Sequence, residues 1–200
     1  MIVETLWEGR DLLGESPVWH HEDRMLYWVD AIRPGLHALD PHTQQHHYWD
    51  MPALIGSIAP RVNGGLVAAI GTGFAFIDLP SGRVDIQKAM NEVFDPVHLN
   101  DGKCDRAGRF WAGEVSHDKK NPQGKLYCFD PKQAHVRVME TGVTLFNGPC
   151  WSPDNKYFYY TDSFKPRSIF RYQFDLKTGN IAHKEVFIQI PDDDPGVPDG

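Results

Sequence analysis

Five glycines, at positions 14, 56, 102, 148 and 200, stand 42 to 52 residues apart, and each has an oxygen-bearing side chain beside or near it. Those side chains are Glu15, Ser57, Asn100 with Asp101, Asn147 and Asp199. Glu15, Asn147 and Asp199 together offer two carboxylates and one amide oxygen. That is a hard-oxygen set suited to Ca²⁺, Mg²⁺ or Mn²⁺. So small a set leaves coordination positions for water and substrate, which admits Zn²⁺ or Fe²⁺ as well. An open site of this kind polarises a carbonyl and activates bound water. Other chemistries lack their signatures. Gly14-Glu15-Ser16 does not match the G-x-S-x-G nucleophile turn, and no glycine loop of the phosphate-binding kind follows a strand.

Residues this far apart meet only if the fold returns each of them to one place. The spacing is that of propeller blades. Within a unit the pattern is strand, tight turn, strand, loop, strand, turn, strand. The first unit reads Pro17 to Trp19, Met25 to Asp30, Gly35 to Leu39 and His46 to Trp49. Turns rich in Asp, Pro and Gly separate the last two strands of each unit: Asp40-Pro41-His42-Thr43, Asp78-Leu79-Pro80-Ser81-Gly82, Asp130-Pro131-Lys132 and Asp175-Leu176-Lys177-Thr178-Gly179. Strand centres such as Tyr27-Trp28-Val29 and Tyr157-Phe158-Tyr159-Tyr160 are aromatic and β-branched. No apolar period of 3.6 runs beyond two turns. The expected fold is an all-β propeller, one domain over 1–200, with four blades and the start of a fifth. The first strand of each blade then lines the central channel and brings the polar starters onto one axis. Taken singly, each starter also suits a turn cap; their shared phase is what points to a site.

Composition narrows the partners. A net charge of −7 without Lys/Arg clusters argues against a nucleic-acid surface. No apolar run approaches the roughly 20 residues of a membrane helix, and no secretory leader pattern opens the chain, so a cytoplasmic protein is expected. Cys104, Cys128 and Cys150 form no C-x-x-C pair and are expected to be reduced, half-buried strand residues. The pairs His20-His21 and His46-His47 read as solvated strand or turn residues, and Asp192-Asp193-Asp194 as an exposed loop. Trp111 and Trp151 read as inter-blade core, Arg61 and Arg109 as ordinary turn-flanking residues.

Gly14-Glu15-Ser16-Pro17-Val18-Trp19, Asn100-Asp101-Gly102-Lys103, Asn147-Gly148 with Trp151-Ser152, and Pro198-Asp199-Gly200 occur in that order along the chain. In them, and in Ile70-Gly71-Thr72-Gly73 between the first two, the chain resembles the SMP-30/gluconolactonase/luciferin-regenerating-enzyme family of regucalcin-like sugar lactonases. The resemblance implies a six-bladed propeller with one divalent metal ion on its axis (Ca, Zn, Mn, Mg or Fe), hydrolysing a small-molecule sugar lactone. It assigns Glu15, Asn147 and Asp199 as metal ligands, Asp199 also as general base, and Asn100 as a contact to substrate hydroxyls. Two features depart from the family pattern. His98 stands where many relatives carry Arg, and a substrate-contacting acid is matched most nearly by Asp118, with Glu114 close by. Arg offers a fixed charged fork and His one or two donors, so the choice of lactone is expected to differ. Six blades at this period need about 270 to 300 residues, so the chain is expected to be a C-terminally shortened piece. The expected activity is a metal-dependent lactonase; the alternative is a non-catalytic calcium-binding or partner-binding propeller.

Overall fold

The computed structural model describes residues 3–90, 97–116, 118, 120–193 and 196–200. Among the described residues, sixteen strands form four antiparallel sheets, each a meander of consecutive strands. The first sheet holds β1 (Gly14–His20), β2 (Met25–Asp30), β3 (Gly35–Leu39) and β4 (His46–Asp50). The second holds β5 (Ile55–Pro60), β6 (Leu66–Ile70), β7 (Gly73–Ile77) and β8 (Val84–Ala89). The third holds β9 (Val97–Cys104), β10 (Phe110–Ser116), β11 (Gly124–Asp130) and β12 (His135–Val143). The fourth holds β13 (Phe146–Trp151), β14 (Tyr157–Asp162), β15 (Ser168–Asp175) and β16 (Asn180–Gln189).

The sheets are blades because their apolar faces stack in sequence. Period-2 alternation puts Tyr27, Val29, Leu36 and Ala38 on one face of the first sheet, against Ile55, Ile58, Leu66 and Ala68 of the second. Ala69 and Phe74 of the second pack with Leu99, Phe110 and Phe129 of the third. Trp111, Leu126 and Cys128 of the third pack with Phe158, Tyr160 and Tyr172 of the fourth. Trp111 is fully buried here and Trp151 leans on the same cluster, as expected of inter-blade core. Strands β1, β5, β9 and β13 touch in that order, which makes them the inner ring.

Hydrogen bonds between inner strands tie the ring together. Ser16 Oγ accepts from the Ile58 amide at 3.0 Å, Ser57 Oγ donates to the Asn100 carbonyl at 2.9 Å, and Asp101 Oδ2 accepts from the Gly148 amide at 2.8 Å. The second and third blades approach so closely that a Cβ on Gly56 would run into the Asn100 carbonyl, a place only glycine can hold.

Several polar residues are less solvated than expected. His20 is buried, its Nδ1 accepting the Asp23 amide at 3.2 Å, and His46 is half-buried with its Nε2 2.9 Å from His37 Nδ1. Both belong to strands whose inner side faces a neighbouring element, so the wet-turn reading of those histidines is corrected. Arg109 is more than a turn flank: it is buried, and its Nε donates to Asp105 Oδ2 at 2.6 Å. The three cysteines are free, with Cys128 buried, Cys104 half-buried and Cys150 exposed. Asp192 and Asp193 are exposed, while Asp194 lies outside the described residues.

Candidate active site

Each inner strand breaks its pairing at the same place. Register slips between Glu15 and Val18 in β1, between Ile55 and Ser57 in β5, opposite Asn100 and Asp101 in β9, and between Asn147 and Cys150 in β13. An extra unpaired residue bends the strand and re-aims the neighbouring side chain. The residue after Glu15, Ser16, has φ 50°, and the residue after Asn147, Gly148, has φ 60°. These left-handed residues turn the chain immediately after each polar starter, so that it emerges from the ladder at the strand's head.

Two buried aspartates hold the approach to those starters. Asp30, at the end of β2, accepts from the amides of Leu12 at 2.8 Å and Leu13 at 3.3 Å, two residues before Glu15. Asp162, at the end of β14, accepts from the amides of Thr144 at 3.0 Å and Leu145 at 3.1 Å, two residues before Asn147. It also accepts a very short hydrogen bond from the Thr144 hydroxyl. In register, Asp30 opposes Gly14 and Asp162 opposes Phe146. The first and fourth blades thus use one device to place the segment that leads into a polar starter. Burial pushes the Asp162 carboxyl up, and its hydrogen bonds pull the other way.

At the heads of the strands, Asn100 Nδ2 donates to Asn147 Oδ1 at 2.8 Å and to the Phe146 carbonyl at 2.9 Å. Asn147 Nδ2 donates to Ser163 Oγ at 2.9 Å. The network fixes which end of each amide is oxygen. Asn147 Oδ1 keeps one further lone pair, and Asn100 presents only its Oδ1 acceptor to a ligand. Asp101 is clamped by the amides of Gly102 at 2.7 Å and Gly148 at 2.8 Å. The end of the chain closes on it: a Cβ at Gly200 would lie 3.0 Å from Asp101 Oδ2, and one at Gly148 would lie 3.1 Å from the Gly200 Cα.

The charge of Asp199 acts on both Glu15 and Asp101. The half-buried Glu15 carboxyl is held above its ordinary range by burial first, then by the charges of Asp199 and Asp101. Burial likewise pushes Asp101 up, with Asp199 adding to it; two backbone amides and Lys103 oppose the rise. Among the described residues, no three His, Cys, Asp or Glu side chains stand close enough to hold a metal by themselves. A cation held there would need the Asn147 amide oxygen as a third donor beside Glu15 and Asp199. That hard-oxygen set, in a concentration of negative charge, fits a divalent cation.

The remaining expected residues lie in different settings. His98 is half-buried on β9, opposite Val115 and two residues before Asn100. Asp118 is exposed in the loop after β10. Its oxygens accept from Ser116 Oγ at 2.7 Å and from the amides of Lys120 at 2.9 Å and Asn121 at 3.1 Å. Those amides hold its carboxyl far below the usual range, so Asp118 organises its own loop. Glu114 is buried, accepting from the Lys125 amide at 2.8 Å and the Tyr127 hydroxyl at 3.0 Å, and burial pushes its carboxyl up. Asp162 and Ser163 escape sequence reasoning about the site, and Asp101, named there among the polar starters, was given no role of its own. Only the Asp101-Gly102 and Asn147-Gly148 pairs, one period apart, hinted at a role for Asp101.

Known proteins share this fold. The fold superposes on a solved luciferin-regenerating enzyme with a TM-score of 0.87 and 27% identity, covering 96% of this chain and 66% of that one. Regucalcin of Danio rerio is 34% identical over 200 residues, 99% of this chain and 66% of the relative. Pentonolactonase XacC of Haloferax volcanii is 34% identical over 203 residues, again spanning 66% of the relative. The chain thus spans about two thirds of the length of these relatives. With a family model matching across residues 13–200, from the loop that Asp30 holds to Gly200 against Asp101, the chain belongs to the SMP-30/Gluconolactonase/LRE-like family.

Proposed function

We propose that this chain carries the catalytic residues of a divalent-metal-dependent hydrolase that opens a sugar lactone to its aldonic acid. The observation that carries the reading is the pairing of the Asn100 and Asn147 amides at the heads of β9 and β13, with the Asp199-Gly200 segment folded against Asp101 and Gly148. The likeness to a protein named pentonolactonase supports the substrate class. Glu15, Asn147 and Asp199 would hold the cation. When bound, such an ion supplies Lewis-acid polarisation of a carbonyl and lowers the pKa of water.

The chain's own residues do the rest. Asn100, with both Nδ2 hydrogens engaged, accepts a hydrogen bond from a substrate hydroxyl through Oδ1. His98, two residues before Asn100 on β9, contacts the polyol from farther along the strand, and Asp118 borders it from the loop after β10. Asp199 takes the proton of the attacking water as its oxygen bonds to the lactone carbonyl carbon. The acyl–oxygen bond of the ring then breaks, and the proton passes to the departing ring oxygen, which becomes a hydroxyl. Asp101 positions the Gly148 turn and meets no substrate.

A pH-drop assay on a panel of aldonolactones, with and without added divalent cations, tests the reading. Metal-dependent acid release that disappears in Glu15→Gln is the expected result. Saturable Ca²⁺ binding with no hydrolysis of any lactone would instead favour a binding propeller, in keeping with relatives named regucalcin.

A further inference from the structure

A cleft opens at the far ends of the inner strands, between the second and third blades. Pro60 ends β5 and Cys104 ends β9, and the cleft lies beyond them, among the 61–65 turn, the 105–109 turn and the Pro131-Lys132 corner. Counting along β9 from Asn100 puts it about 13 Å from the carboxylate cluster at roughly 3.3 Å per residue. The two sites face opposite ends of the ring. The cleft encloses about 520 Å³, within the range that holds small organic ligands.

Its floor is apolar and its rim is basic. Val67, Phe76 and Phe110 form the floor. Arg61, Arg106 and Lys132 border the opening, and among the described residues none of them has a carboxylate within ion-pair distance. The Arg61 guanidinium lies 3.6 Å over the Phe76 ring, and Arg106 Nη1 donates only to the Pro153 carbonyl at 3.2 Å. The one lining acid, Asp105, is already used: it accepts from Arg109 Nε at 2.6 Å and Trp111 Nε1 at 3.0 Å. Three uncompensated cations around an apolar slot are notable on a chain of net charge −7. Guanidinium groups stack on flat rings and bind carboxylates bidentately.

We infer that this cleft is a second ligand site, distinct from the carboxylate cluster, for a small anion with a flat apolar body, such as an aryl carboxylate. The ring would stack on the open face of the Arg61 guanidinium, which itself lies on Phe76, and its carboxylate would meet Arg106 and Lys132 at the rim. The inference does not depend on lactone hydrolysis.

The test is titration of the full 200-residue chain with 2-naphthoate, followed by amide chemical shifts in NMR. Neutral 2-naphthalenemethanol serves as the control. Saturable shifts are expected at Val62, Asn63, Ala107 and Gly108, with the alcohol at least tenfold weaker. The double variant Arg61→Gln/Arg106→Gln is expected to lose binding at least tenfold, and Arg106→Gln alone, on an exposed turn, about threefold. Glu15→Gln should leave naphthoate affinity unchanged. Equal affinity for acid and alcohol, shifts elsewhere only, or unaltered binding in Arg106→Gln would each overturn the assignment.

Discussion

Asn100 spends its Nδ2 on the fourth blade, donating at 2.8 Å to Asn147 Oδ1 and at 2.9 Å to the Phe146 carbonyl. The contact joins a proposed substrate residue to a proposed metal ligand across 47 residues of sequence. It makes the orientation of Asn147 depend on its neighbour, so a change at either should be felt at the other. Asn147→Ala is expected to weaken divalent-cation binding more than tenfold and to abolish hydrolysis, as is Glu15→Gln. Asn100→Ala is expected to weaken the cation less and the lactone more. Calorimetry with Ca²⁺ and Mn²⁺ on the three variants checks this; full-affinity binding in Glu15→Gln and Asn147→Ala would remove both from the site.

Asp199 has two proposed roles that one substitution separates. Asp199→Asn keeps an oxygen donor and the side-chain size but cannot accept a proton. It is expected to retain much of its cation affinity while turnover falls by about 10² to 10⁴, the usual share of a general base. Steady-state kinetics at saturating metal provide the check, and near-normal turnover would assign the proton to another acceptor.

His98 offers the clearest route to substrate choice. His98→Arg replaces one or two donors with a fixed, always-charged fork. The ranking of lactones by kcat/KM is expected to change more than the maximal rate on the best of them. An identical ranking in the two proteins would remove His98 from the substrate surface.

Much of this architecture was legible in the residues alone. Aromatic, alternating strands and turns rich in Asp, Pro and Gly recur at a fixed phase, and period-2 burial does the rest: Tyr27 and Val29 face one blade neighbour while Trp28 turns away. Glu15, Asn147 and Asp199 could be proposed as ligands because they share that phase. Asp162 was not legible, since its role is to hold two amides across a hairpin, and that follows only from register. Asp101 was obscured by a bulge: with Asn100 and Asp101 both outside the ladder, alternation no longer says which side chain points where. Asp118 shows what spacing alone leaves out: its oxygens also accept from amides of its own loop.

The histidine cluster on the first blade gives a pH dependence of definite sign. His37 Nδ1 and His46 Nε2 are 2.9 Å apart, Trp28 stacks on His37, and Trp7 stacks on His46. Burial first holds both imidazoles below their ordinary range; for His46 the neighbouring histidines add to it, and Asp11 opposes the shift at both. The unfolded chain therefore takes up these protons before the folded one does. Their contribution to stability is complete above about pH 6.5 and is lost as pH falls from there through the depressed folded values. The urea midpoint is expected to drop between pH 7.5 and 5.5, with a shallower drop in His46→Gln. Equal slopes for the two proteins would show that other groups govern acid sensitivity.

Asp162 tests whether the hydrogen bonds two residues upstream place the ligand. In Asp162→Ala the buried amides of Thr144 and Leu145 lose their acceptor. Each unpaired buried donor costs about 1–3 kcal/mol, so a loss of roughly 3 kcal/mol is expected. For a chain of this size that lowers Tm by about 6–12 °C. A purely structural defect would stop there. Because Asn147 follows the released segment by two residues, divalent-cation affinity should also fall, by about tenfold, at temperatures where the variant is still fully folded. Asp175→Ala removes an acceptor of the same kind from an exposed turn remote from the strand heads, and it should lose neither cation affinity nor more than about 1 kcal/mol of stability. Calorimetric titration of both variants at 15 °C, beside their melting curves, separates the outcomes. Unaltered cation affinity in a folded Asp162→Ala protein would show that the inner ring alone places Asn147.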